Sequence, residues 1–286
     1  MSLVNLGSVL LPAFSNGYGV GSFNVINSTF VEGVIQAAEN RRAPVIVSLA
    51  EVHFQYGDLR SIAAVTRSLA AEAGVPVVLN LDHGLSFESV ARAVRYGFTS
   101  VMFDGSRLDY SENVRNTKEI VRLCRPLGVS VEAELGAVGG SEAGEAGGTA
   151  DPSLFTDPDQ AGEFVRDTGI DALAVAIGNV HGKYKGDPCL DFTRLRAIRE
   201  RAGIPLVLHG GSGISDDDFR KAVSCGIAKI NFYTEMARQA LLETEKYLQG
   251  VTNYYTSFDN LNQSIRETVR RTVEERIGVF GACGRA

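Results

Sequence analysis

Residues 75–84 read VPVVLNLDHG, an apolar, β-branched run that ends abruptly in Asp82, His83 and Gly84. Continuous apolarity, as opposed to alternation, marks a strand covered on both faces, as in a parallel sheet. A carboxylate and an imidazole at its last residues then stand at the carboxyl end of the strand, where they can meet a ligand instead of being buried without partners. Runs of the same kind lie at 20–25, 44–49, 99–104, 129–134, 171–177, 204–209 and 227–231. Helical stretches separate them. Thr29 and Glu32 read as a T-x-x-E capping box, Asp157-Pro158 as an N-cap followed by a first-turn proline, and Ser215 precedes the acidic turn Asp216 to Asp218. Gly74, Gly97 and Gly226 fit helix C-terminal caps or the turns beyond them. A strand and helix repeated eight times predicts a (β/α)8 TIM barrel, an α/β fold whose chemistry lies at the carboxyl ends of its strands. An open doubly wound sheet is the alternative, because strand count alone does not require closure. The helical pattern from 234 onward exceeds one barrel helix, so an additional C-terminal helix is expected over 260–280.

With 286 residues, 44% of them hydrophobic, the chain can fill one barrel core, and a single domain over 1–286 is expected. A net charge of −6 leaves no basic stripe of the kind phosphate backbones require, so nucleic acid is excluded as a partner. Cys124, Cys189, Cys225 and Cys283 show no CxxC spacing, which argues against a thiolate zinc site and a disulfide framework. The first basic residue is Arg41, so the start lacks the charged region of a signal peptide. No run approaches the ~18 apolar residues of a membrane span, and a cytoplasmic protein is expected.

On the barrel, Asn24, Asp82-His83, Asp104, Glu134, His181, His209 and Asn231 all fall at or just after strand ends and face one mouth. Three imidazoles there, His83, His181 and His209, are the ligand set of an open catalytic zinc site. Asp104 and Glu134 would orient those imidazoles, ligate an alternate metal position, or belong to a buried polar network. His53, in VHFQY, reads as structural or as a pocket wall. The stretches HGGSG at 209–213 and NFYT at 231–234 follow strands seven and eight, the frequent phosphate site of barrels, where glycine backbones and a helix N-terminus can meet an anion. Residues 136–150, GAVGGSEAGEAGGTA, are either a surface linker or a lid over the mouth.

These residues resemble the class II, zinc-dependent aldolases, the group containing fructose-bisphosphate and tagatose-bisphosphate aldolases. The similarity runs from GSFNV near residue 21 to the VFGACGRA end, through LDHG at 81–84, EAELGAVGGSE at 132–142, AVAIGNVHGKY at 174–184, VLHGGSG at 207–213 and KINFYTE at 229–235. The resemblance implies zinc on His83, His181 and His209, and Asp82 as acid and base at the aldehyde oxygen. It implies that Glu142 moves the proton at the ketose carbon, which favours the lid. Dihydroxyacetone phosphate would be held through Asn24, Gly182, Gly210, Gly211, Ser212, Asn231, Phe232, Tyr233 and Thr234. Backbone carbonyls of Val180, Gly182 and Gly210 would take a monovalent cation, Na+ or K+. A homodimer or homotetramer is implied as well. No lysine Schiff base is required, so Lys183, Lys185 and Lys229 read as surface or phosphate-proximal charges. Ala50 and Tyr233 depart from residues common in fructose-bisphosphate aldolases, which leaves the ketose, its stereochemistry and its second phosphate open. A binding barrel without turnover and a zinc metallohydrolase are the competing readings.

Overall fold

The computed structural model describes residues 2–140, 148–182, 184–252 and 257–286. Eight strands form the barrel: β1 (Val20–Asn24), β2 (Val45–Ala50), β3 (Val77–Gly84), β4 (Ser100–Phe103), β5 (Ser130–Leu135), β6 (Ala172–Val175), β7 (Leu206–Leu208) and β8 (Ile227–Phe232). They pair in parallel in sequence order, and β8 returns to β1 with Val20 opposite Lys229 and Phe23 opposite Phe232. Closure excludes the open-sheet alternative. Every residue of these strands is buried, which is why their sequences read as unbroken apolar runs.

Ten helices are present among the described residues: α1 (Leu6–Asn16), α2 (Ser28–Arg41), α3 (Leu59–Glu72), α4 (Phe87–Arg95), α5 (Tyr110–Cys124), α6 (Pro158–Thr168), α7 (Phe192–Ala202), α8 (Asp216–Ser224), α9 (Thr234–Gln249) and α10 (Ser257–Phe280). The caps at Asp157 and Ser215 are as expected: each side chain accepts first-turn N–H groups. The expected Thr29 capping box is not the start of α2. Asn27 caps it by accepting from the N–H of Phe30, so Thr29 lies inside the first turn. The additional C-terminal helix is α10, which packs on α2 and α9 through its buried Val269, Val273, Ile277 and Phe280. An N-terminal helix, α1, was not expected. Asn5 caps it, and Leu6, Val9, Leu10 and Ala13 put its apolar face into the core.

The segments that frame the mouth follow β5 and β6. Gly139 and Gly140 pair with Val180 and His181 in a short parallel ladder, and Gly148 bridges to Tyr184. A Cβ on Gly140 would lie 2.3 Å from the carbonyl oxygen of His181, and one on Gly148 would lie 2.1 Å from a Val180 methyl. The glycines at both described flanks of the 136–150 stretch therefore serve close approach to the His181 segment, more than a linker needs. Residues 141–147, and Glu142 with them, lie outside the described residues, as does Lys183.

Candidate active site

Strand alternation carries the site. His83 is the penultimate residue of β3, His181 lies on the short ladder after β6, and His209 immediately follows β7. All three are buried, and one nitrogen from each ring lies within 4.8 Å of the others. His83 adopts φ 43°, a left-handed conformation that costs a non-glycine residue of order 1–3 kcal/mol and persists only where its surroundings hold it. They do so here. The next residue, Gly84, sits where a Cβ would come within 2.7 Å of the Met102 carbonyl, and the N–H of Leu85 donates to Glu51 at 2.7 Å.

Hydrogen bonds assign the ring nitrogens. His83 Nδ1 meets Asp104 Oδ2 at 2.7 Å, and His209 Nε2 meets Glu132 Oε1 at 2.9 Å. Each carboxylate accepts, so each of those nitrogens carries the hydrogen in the neutral ring. The remaining nitrogens, His83 Nε2 and His209 Nδ1, then present lone pairs to one another across 2.9 Å. The amide Nδ2 of Asn231 lies 3.2 Å from His209 Nδ1, which fits a lone pair there. Two facing lone pairs repel unless a cation is shared between them, so the donor set fits a metal ion. Burial raises the Asp104 carboxyl, but the hydrogen bond from His83 and two contacts from Ser106 outweigh it and hold the group well below the usual carboxylate range.

Beside the imidazoles, Asp82 is fully buried and clamped by two amides: Asn24 Nδ2 donates to Oδ2 and Asn231 Nδ2 to Oδ1, each at 2.8 Å. The sequence placed Asn24 and Asn231 at the mouth; the structure adds that they hold Asp82. Their own amide oxygens are buried and lack a hydrogen-bond partner among the described residues. Buried acceptors of this kind leave room for incoming hydroxyl donors.

Next to the clamp is a small cavity lined by Asn24, His53, His181, Gly182, Gly210 to Ser212 and Asn231 to Thr234, so the expected phosphate residues are brought together. Gly210 has φ 68°, and a Cβ on it would lie 2.3 Å from the Val180 carbonyl oxygen. Tyr184 joins these two loops: its hydroxyl accepts the Val180 N–H and donates to the Gly210 carbonyl, both at 3.0 Å. Helix α9 starts at this cavity with no side-chain cap on its first turn, although Ser212 Oγ accepts the N–H of Glu235 at 3.3 Å. His53, buried, has its ring 4.6 Å from that of Tyr233 at a tilt of 49° and forms the expected pocket wall. A second cavity of about 310 Å³ opens on the other side of the imidazoles, lined by His83, Asp104, Arg107, Glu134, Val138 and others. His83, Asp104 and Glu134 can also be spanned by one ion, as the alternate metal position requires.

Two residues depart from the sequence reading. Lys229 is neither at the surface nor beside the phosphate cavity; it is fully buried inside the barrel, with Nζ 2.6 Å from Glu132 Oε2. Glu132 had no expected role, yet it joins Lys229 to His209. The available signal was its spacing: Glu132 and Glu134 are two apart on β5 and so point to the same face. Lys185 is exposed, as expected.

Fold and site together define a barrel enzyme with a histidine-rich centre able to hold a metal ion. The family model described as fructose-bisphosphate aldolase class-II matches residues 4–285. A Bacillus subtilis (strain 168) protein named "Probable fructose-bisphosphate aldolase" is 41% identical over 289 residues, covering all of both chains. The fructose-bisphosphate aldolase of Staphylococcus aureus (strain N315) is 40% identical, again over all of both. The crystal structure of the YdjI aldolase from Escherichia coli K12 superposes with a TM-score of 0.89 at 39% identity, covering 99% of each chain. The chain belongs to the class II fructose-bisphosphate aldolase family, whose members are carbon–carbon lyases. None of its described helices is long and apolar enough to cross a membrane.

Proposed function

We propose that this chain, as one cytoplasmic catalytic domain, reversibly cleaves a ketose phosphate into dihydroxyacetone phosphate and an aldehyde. The observation that carries the reading is the pairing of a buried, doubly clamped Asp82 with three convergent imidazoles at the barrel mouth. His83, His181 and His209 would hold zinc, with Asp104 and Glu134 supporting it or offering an alternate position. Zinc bound there supplies a Lewis acid for the carbonyl and hydroxyl oxygens of the substrate.

The protein groups divide the remaining work. Asp82, held by Asn24 and Asn231, takes the hydroxyl proton in cleavage and returns it to the aldehyde oxygen in condensation. The free amide oxygens of both asparagines accept substrate hydroxyl hydrogens. Glu142 moves the proton at the ketose carbon. The phosphate rests on Gly182, on Gly210, Gly211 and Ser212, and on Asn231, Phe232, Tyr233 and Thr234, where the start of α9 adds N–H groups. A Na+ or K+ ion would sit on the carbonyls of Val180, Gly182 and Gly210. The names of the Bacillus and Staphylococcus relatives favour a bisphosphate, while a ketose with one phosphate is the alternative. A homodimer or homotetramer is proposed, to be read by light scattering.

The test is release of dihydroxyacetone phosphate from a panel of ketose monophosphates and bisphosphates by the zinc-loaded protein. Asp82→Ala should fall by at least ~100-fold, the lower range for a lost acid–base group. Silence across the whole panel defeats the reading, and phosphate-ester hydrolysis without carbon–carbon cleavage would install the metallohydrolase in its place.

A further inference from the structure

One layer below the imidazoles the barrel interior contains an ion pair that the aldol chemistry does not use. Glu132 precedes Glu134 by two residues on β5, and Lys229 precedes Asn231 by two on β8, so each points inward beneath a residue of the mouth. In the closed sheet β7 and β6 separate β8 from β5, so the contact is made across the interior. Both side chains are completely buried, Nζ to Oε2 is 2.6 Å, and the other carboxylate oxygen meets His209 Nε2 at 2.9 Å. Replacing such a pair with apolar residues is often neutral or stabilising, so stability alone gives little reason for it.

We infer that Lys229 and Glu132 are positioning residues that set the hydrogen-bond direction at His209, holding its Nε2 as the N–H and its Nδ1 as the lone pair facing His83. The inference rests on the metal-site reading above only for the use to which that lone pair is put. Direction follows from the donor inventory. Lysine has donors only, so it fills Oε2 and leaves Glu132 as a pure acceptor whose Oε1 must receive a hydrogen from His209. With its hydrogen committed to Nε2, the neutral ring has no hydrogen at Nδ1. That is the nitrogen that lies 2.9 Å from His83 Nε2 and 3.2 Å from the Asn231 amide.

The chain of donors makes an uncommon prediction about paired substitutions. In Glu132→Gln the amide must turn its oxygen to Lys229, which leaves its NH2 facing His209 Nε2 and moves the ring hydrogen to Nδ1. In Glu132→Gln/Lys229→Met the amide is free to turn its oxygen back to His209, and the original direction returns. This double variant also carries no unpaired buried charge, so it remains informative where the single variant folds poorly.

Two measurements decide. Long-range proton–nitrogen spectra of the metal-free protein, which has only four histidines, read the His209 tautomer directly. The hydrogen should be on Nε2 in the wild type and the double variant, and on Nδ1 in Glu132→Gln. Zinc affinity by competition with a chromophoric chelator should fall ~10- to 100-fold in Glu132→Gln, the usual range for lost support of a ligand, and return to within a few-fold of wild type in the double variant. A His209 hydrogen on Nδ1 in the wild type, an unchanged tautomer in Glu132→Gln, or a double variant no tighter for zinc than the single would each overturn the inference. Failure of the wild type to bind zinc defeats the metal reading instead and leaves the tautomer measurement standing.

Discussion

The carboxylates behind His83 and His209 each accept from an imidazole, at 2.7 and 2.9 Å, in different surroundings. Asp104 stands at the rim with its side chain 16% exposed, and the backbone N–H of Ser106 supplies its second contact, at 3.0 Å. Glu132 lies inside the barrel at 0% exposure and takes Lys229 as its partner. Near water a carboxylate can be kept charged by hydrogen bonds and one imidazole. Glu132, inside the closed barrel, has a counter-charge as well, which offsets part of the several kcal/mol that desolvating an ion costs.

The largest way to break this comparison is to remove the counter-charge. Lys229→Ala should lose about 3–5 kcal/mol in chemical denaturation, the cost of stranding a buried charge. Asp104→Ala should lose clearly less, and equal losses would show that burial does not separate the two sites. Acid titration sharpens the same point in metal-free protein. Burial raises the Glu132 carboxyl, but the Lys229 charge, together with His209, brings it down to about 2 from the ordinary 4.5. A group depressed on folding contributes fully above its unfolded value and loses that contribution as pH falls toward the folded one. The stability gap between wild type and Glu132→Gln should therefore be full above about pH 4.5 and close between there and about pH 2. A gap that stays constant over this range would remove the carboxylate charge from the account.

Asp104→Asn tests the rim at lower stakes: an amide can still accept from His83 Nδ1, so zinc affinity should drop toward the lower end of the ~10- to 100-fold range, with little change in stability. Tyr184→Phe removes one hydroxyl linking Val180 to Gly210 and should cost about 1 kcal/mol, with a weaker phosphate-end affinity measured through the KM of the ketose phosphate. Smallest of all is the surface pair Arg220–Asp217, whose side chains are 56% and 95% exposed. Arg220→Ala should shift stability by no more than about 0.5 kcal/mol.

Much of the architecture was legible because each strand is buried on both faces and helices α1 to α8 each begin with a capping side chain. The runs ending in Asp82-His83 and in His209 identified strand ends, and Asp157 and Ser215 marked helix starts. Helix α1 carries the same signals, Asn5 as cap and Leu6, Val9, Leu10 and Ala13 on one face, in a start whose apolar composition a leader would share. Asn27 and Thr29 are both good caps by type, and only the Phe30 N–H donating to Asn27 Oδ1 separates them. Lys229 was misplaced for a reason of frequency: lysine is almost never fully buried unless paired, and its pair lies 97 residues away.

Taken alone, the amino-acid order determined which residues finish strands and hence which could share a mouth, since alternation and burial are properties of a few neighbouring residues. Barrel closure decided the rest. It turned Asn24 and Asn231 onto Asp82, set His83 against His209, and passed a lysine beneath them to a glutamate across the interior. Hydrogen-bond direction at one ring depends on what its partner's partner donates, and those three groups meet only when strands from distant parts of the chain enclose one space.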